Sequence, residues 1–229
     1  SVNCKMFLAG MFTPSDNLLI NQIFGSSPWN RQEIQAIPVY PLTPETEKKH
    51  RIVHDEKSVQ GSIRLAAPFP PKSHPDFVPM IMLNTLFGGY FGSRLMSNIR
   101  EEKGYTYGIH SMLLNQKNES GFMITTEAGK DVCELAVEEI YKEMELLKTE
   151  LVDMEELNLV KNYLLGSILG GLDGSFNIIQ RWKGLILNGF TEERFYNNIK
   201  LYKSITPTEI QALAQKYFDK SSFYELIVT

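Results

Sequence analysis

Few residues in this chain could handle a proton, a metal or a developing charge. It has four histidines, His50, His54, His74 and His110, and two cysteines, Cys4 and Cys133. Metal-assisted hydrolysis needs paired imidazoles, a further ligand and a carboxylate that handles the attacking water. The helix-borne spacings that supply these, HExxH and HxxEH, do not occur in this sequence. His50 and His54 lie four apart, a spacing that could grip a metal on a helix. The run HRIVH continues into a strand pattern, however, where that spacing separates the rings. His110 falls on a strand pattern and His74 precedes a proline, so both read as structural or exposed. Cys133 sits on a helical pattern as a small buried hydrophobe. Two cysteines make neither a disulfide framework nor a thiolate metal site.

One pair survives. Arg100 falls on the last turn of a short helix, and Tyr107 follows seven positions later, past a helix-stopping Gly104. That spacing places a cation and a phenol on two different elements converging at one corner. The plain reading remains open: an Arg near a helix C-terminus compensates the dipole, and a strand Tyr is ordinary surface. Tyr105, two positions before Tyr107, would share its strand face and is the rival for its role.

Other motifs weaken on inspection. The cluster GGYFG follows a helix and lacks a closing GK[ST], so it reads as a tight turn rather than a phosphate cradle. Ser15-Asp16-Asn17 reads as a helix cap, and Asn118-Glu119-Ser120 is a glycosylation sequon by letter only. A net charge of −4 over 229 residues, with 43% hydrophobic and 22% charged side chains, describes an ordinary globular chain with no bias toward nucleic acid. The run Lys48–Arg51 reads as a solvated strand or loop. No apolar run approaches the roughly 20 residues of a membrane span. The start SVNCKMFLAG does not read as a signal peptide. The absence of a targeting segment leans toward the cytoplasm.

The elements that must position the pair follow from periodicity. A strand is expected at Lys5–Ala9 and a helix from Pro14 that carries Leu18, Leu19, Ile23 and Phe24. Residues 26–45 hold four prolines and read as a linker. Strands follow at 47–54 and 57–66, a helix from about Pro75 to Phe87, the glycine turn, and a helix ending near Lys103. Strands at 106–115 and 120–127 form a hairpin. Helices then run over Asp131–Lys148, Met154–Leu169 and Ser175–Leu187. Two more open at Thr191 and at the capping box Thr206-Pro207-Thr208-Glu209, before SFYELIV closes as a strand. The order specifies an α+β architecture, an antiparallel sheet covered by helices on one side.

The segment LNTLFGGYFGSRLMSNIREEKGYTYG resembles the signature of the C-terminal domain of the M16 family, the pitrilysin, insulinase and mitochondrial-processing-peptidase metallopeptidases. KSVQGSIRLAAPFPPKSHPDF and GFMITTEAGKDVCELAVEEIYKEMELL resemble its flanks, and ITPTEIQALAQKYF its end. The likeness covers residues 46–229, and residues 1–25 resemble the tail of a preceding homologous domain. The resemblance implies a LuxS/M16 metallohydrolase-like fold in which one domain binds zinc through HxxEH and its partner supplies an Arg and a Tyr. Carried over, Arg100 would contact a substrate carbonyl and Tyr107 the oxyanion. With no HxxEH, this chain is expected to bind no metal or cofactor and to be inactive alone. The zinc would sit on a zinc-bearing M16 domain, in the same polypeptide or another subunit, and the shared substrate would be a peptide. The alternative is a non-catalytic structural or peptide-binding homologue, like the core subunits of respiratory complexes. Neither nucleic acid nor membrane is expected as a partner.

Overall fold

The computed structural model describes residues 4–26, 44–116 and 120–229. Most of the expected linker at 26–45 and the sequon Asn118-Glu119-Ser120 lie outside the described residues, apart from Ser26, Pro44, Glu45 and Ser120. The chain forms two compact units, Ser1–Pro44 with Ser167–Glu192, and Glu45–Gly166 with Glu193–Thr229.

The larger unit is built on a sheet of five strands, β1 (Lys49–Ile52), β2 (Gln60–Phe69), β3 (Thr106–Asn115), β4 (Ser120–Gly129) and β5 (Tyr224–Val228), in the order β1-β5-β2-β4-β3. Alternation places Gly61, Ile63, Leu65, Ala67 and Phe69 of β2 on the buried face. Phe122, Ile124, Thr126 and Ala128 of β4 do the same. Helices α2 (Phe77–Asn84), α3 (Cys133–Thr149) and α7 (Pro207–Tyr217) pack against this side, α3 through Ala136, Ile140, Met144 and Leu147. Each such buried aliphatic side chain contributes about 1.5–3 kcal/mol of transfer free energy. The capping box of α7 forms as the sequence indicates: the Thr206 N–H donates to Glu209 at 2.8 Å, and the Glu209 N–H donates to Thr206 Oγ1 at 3.3 Å.

The sheet is not wholly antiparallel. β1 pairs parallel to β5, with Lys49 opposite Glu225 and Ile52 opposite Val228. The parallel sense is accessible because every other element of the larger unit separates the two strands in sequence, so no tight crossover is needed. Charge holds this pair together. Glu225 is buried at 2% exposure. It accepts from Arg51 at 2.9 Å and from the Tyr141 hydroxyl on α3 at 2.9 Å, with the Lys49 ammonium at 3.4 Å. The run Lys48–Arg51 is therefore no purely solvated stretch: Arg51 also bridges Glu134, and two of its cations neutralise a buried carboxylate.

Three further elements are α4 (Met154–Gly170), α5 (Gly174–Leu187) and α6 (Glu192–Ser204). The smaller unit contains α1 (Pro14–Phe24) and α5, and neither helix buries a single side chain. The strand expected at Lys5–Ala9 does not form among the described residues. A strand needs a neighbouring strand to satisfy its backbone, and none of the described strands pairs with it.

Burial pushes the Glu225 carboxyl up, but the Arg51 and Tyr141 hydrogen bonds and the Lys49 charge together hold it below its ordinary value of 4.5. A depressed carboxyl stabilises the fold above the unfolded pKa, and that contribution disappears as pH falls through the folded value. Arg51→Leu is expected to cost about 2 kcal/mol near pH 7 and much less below the folded pKa of Glu225. Thermal melts of the variant and parent at both pH values test this, and an equal loss at both would remove Glu225 as the cause.

Candidate functional site

The chain leaves α2 through a π-helical turn, Thr85–Gly89, and re-enters a second π-helical segment, Met96–Glu102, which carries Arg100 in its last turn. The first is wedged into the core by Phe87, whose ring lies 4.8 Å from Phe218 and 6.2 Å from Phe122. Phe122 extends the cluster to Phe223 at 6.1 Å. Gly88 then lies directly against β3. A Cβ there would sit 2.6 Å from Ser111 Oγ and 2.9 Å from the Ser111 backbone nitrogen. The edge of β3 is covered further by Met96, whose sulfur accepts the Ile109 N–H at 3.4 Å. The π-helical stretches thus seal part of a strand edge that would otherwise present unpaired backbone groups.

Asn98 within the second segment and Arg94 just before it tie this stretch to its neighbours. Asn98 donates to the buried Glu143 of α3 at 2.7 Å and to Glu139 at 3.2 Å. Burial pushes the Glu143 carboxyl up, and the Asn98 amide and Arg94 charge offset only part of it. Arg94 makes a two-pronged pair with Glu156 of α4 at 2.9 and 2.8 Å.

Gly104, at φ +67°, turns the chain back into β3, a conformation glycine adopts without penalty. The return carries Tyr107 to Arg100: the Arg100 Nε–H donates to the Tyr107 carbonyl at 3.0 Å. The guanidinium also lies 4.8 Å from the centre of the Phe91 ring and 3.5 Å from Glu101. Tyr107 is 93% exposed, and its hydroxyl has no hydrogen-bond partner among the described residues. The spacing of Arg100 and Tyr107 thus brings the guanidinium against the Tyr107 backbone.

A β-bulge aims the phenol. Thr106 pairs with Ala128 and Ile109 with Thr126, so β3 holds one more residue than β4 over this stretch. Hydroxyls fix it: Thr106 Oγ1 donates to the Glu127 carbonyl at 2.6 Å, accepts the Gly108 N–H at 3.1 Å, and Thr126 Oγ1 donates to the Gly108 carbonyl at 2.9 Å. Strict alternation from Ile109 and Ser111 would have put Tyr107 on the buried face, and the extra residue turns it to the open one. Tyr105 precedes the strand and is only partly exposed. Sequence reading missed the bulge; Gly108 inside a strand pattern was the available signal. Beside Tyr107 the open sheet face forms a shallow trough lined by Gln60, His110, Thr125 and Glu127.

The other candidates are dispersed. His50 lies on β1 with Nε2 3.1 Å from the Glu47 carbonyl, and His74 Nδ1 accepts the Asp76 N–H at 3.1 Å. Cys133 is buried against Gly61, where a Cβ would sit 2.6 Å from its sulfur, and Cys4 is exposed. Among the described residues no group of three or more His, Cys, Asp or Glu could hold a metal ion.

The profile of the peptidase M16 inactive domain matches residues 1–164, well over half of the chain, and the chain belongs to that family. Over 108 residues it is 26% identical to the uncharacterized zinc protease YmxG of Bacillus subtilis (strain 168), a match covering 47% of this chain and 26% of that protein. Its fold is similar to the crystal structure of a peptidase M16 inactive domain from Pseudomonas fluorescens, at TM-score 0.79 and 22% identity, over 95% of this chain and 51% of that one. It is also similar to a protease from Helicobacter pylori, at TM-score 0.82 and 18% identity, over 96% of this chain and 54% of that one. The chain therefore spans about half the length of these solved relatives and a quarter of the Bacillus protein. No helix among the described residues is long and apolar enough to cross a membrane.

Gly88→Ala is expected to destabilise the chain by about 1–3 kcal/mol, because the added methyl meets strand backbone that cannot yield. Tyr107→Phe should change stability by less than about 0.5 kcal/mol. Urea unfolding of both variants checks the contrast, and a tolerated Gly88→Ala would refute the close approach.

Proposed function

We propose that this chain is the non-metal-binding, substrate-contacting domain of a zinc-dependent M16-type endopeptidase. In this reading Arg100 and Tyr107 act on a peptide held at a zinc site on another domain or subunit. The observation that carries the reading is the corner itself. Arg100 is oriented through Nε by the Tyr107 carbonyl, which leaves Nη2 with no partner among the described residues, and the residue that holds it carries an exposed phenol. A guanidinium only donates and a phenol O–H can donate, which suits carbonyl oxygens and a developing oxyanion. Zinc on the partner would supply the activated water and polarise the scissile carbonyl. Arg100 binds a neighbouring peptide carbonyl and fixes the backbone. Tyr107 donates its hydroxyl proton in a hydrogen bond to the carbonyl oxygen as that oxygen gains charge.

A preorganised donor of this kind contributes on the order of 3 kcal/mol, or about 10²-fold in rate. Assembled with its zinc-bearing partner, the Tyr107→Phe chain should support peptide cleavage with kcat reduced about 10²-fold and KM little changed. The chain alone should show no chelator-sensitive cleavage. An unchanged kcat would assign the pair to plain peptide binding or structure.

Residues 1–25 fit the tail of a preceding homologous domain. The Thr13 N–H is capped by Asp16 at 2.7 Å and Pro14 occupies the first turn, so α1 is well specified locally. Yet Leu18, Leu19, Ile23 and Phe24 are 45–70% exposed, and an isolated helix this short is marginal in water. A further α+β domain would cover these side chains and pair with residues 5–9. Amides of Lys5–Ala9 and α1 should therefore exchange rapidly in this chain and slowly once the rest of the longer polypeptide is present; rapid exchange in both would exclude the tail assignment.

A further inference from the structure

The glycine turn GGYFG still lacks a role in chemistry, and it ends in an aromatic ring that serves no core. Phe91 is 64% exposed. The preceding residue is anchored differently: the Tyr90 ring packs 4.8 Å from Tyr163 of α4. Gly92 allows this, since a Cβ there would lie 2.9 Å from the Tyr90 ring. Phe91 emerges from the same turn and meets the Arg100 guanidinium, 4.8 Å from its ring centre. Its contact is thus with the residue assigned to the substrate.

We propose that Phe91 is a positioning residue for Arg100, which it holds by its ring face while the Tyr107 carbonyl holds Nε. The inference rests on the reading of Arg100 as a substrate contact. A long side chain held only through Nε can still swing its terminal nitrogens, losing rotamer entropy on each substrate encounter. A ring face beneath the guanidinium restrains that swing while leaving the in-plane N–H donors available. No other aromatic ring is found against this guanidinium among the described residues. Glu101 does not replace it, because an exposed carboxylate at 3.5 Å is screened and mobile.

The test uses the zinc-bearing assembly and a substitution cycle. Phe91→Ala should raise KM about three- to five-fold, the scale of an exposed cation–π contact, with kcat unchanged. Phe91→Tyr should restore KM and Phe91→Leu should not. In the Arg100→Ala background, Phe91→Ala should add nothing, because Phe91 acts through Arg100. Additive losses would overturn the proposal and mark Phe91 as an independent substrate contact. If Arg100→Ala itself leaves KM unchanged, the substrate-contact reading falls instead. A second readout needs no partner: in this chain the Arg100 Nε–H proton should show an upfield ring-current shift, kept in Phe91→Tyr and lost in Phe91→Leu. No difference between Phe91→Leu and the parent would overturn the positioning role whatever the kinetics show.

Discussion

A glycine backbone lying against a strand backbone sets the position of everything at this site. Gly88 approaches Ser111 so closely that no side chain fits between them. The segment that follows is thereby placed along the edge of β3. Phe87, one residue earlier, locks the approach into the aromatic core, so the edge contact is backed by buried apolar area rather than by the turn alone. The turn then delivers Arg100, and Gly104 returns the chain so that Tyr107 meets it. The site is thus a consequence of core packing expressed at a sheet edge.

The two donors are held by different means. Tyr107 stands on a bulge fixed by the hydroxyls of Thr106 and Thr126, so its direction is set by backbone. Arg100 is long and half-buried, and its direction depends on contacts with a carbonyl, a ring and the Asn98 anchor beneath it. The bulge follows the use such features serve elsewhere, re-aiming one side chain at the end of a strand. The network around Glu225 works at the opposite edge of the sheet, where it fastens a short parallel strand that has little apolar surface to bury.

Much of this was legible in the sequence. Period-two alternation gave β2 because Ile63 and Leu65 fall on one face against Ser62 and Arg64 on the other, and Thr206-Pro207-Thr208-Glu209 gave the start of α7. The spacing of Arg100 and Tyr107 around Gly104 gave the approach of the guanidinium to the Tyr107 backbone. What escaped depended on contacts distant in sequence. The partner of Glu225 is Arg51, and nothing local to either marks the pair. The bulge at Tyr107 changes register by one residue, which a hydropathy pattern cannot resolve. The π-helical winding of Thr85–Gly89 and Met96–Glu102 reflects close packing on β3 more than local propensity. Lys5–Ala9 shows the converse, a strand pattern that finds no partner strand among the described residues.

The central claim is that Tyr107 recognises charge that develops on the substrate rather than the substrate itself. It is tested most directly by binding, in the assembled zinc-bearing protein, of a phosphonate peptide that mimics the tetrahedral intermediate and of the matching uncleaved peptide. Tyr107→Phe should weaken the phosphonate by about 10²-fold and leave the ground-state peptide nearly unaffected. Equal effects on both ligands, or none on either, would contradict the role assigned to Tyr107.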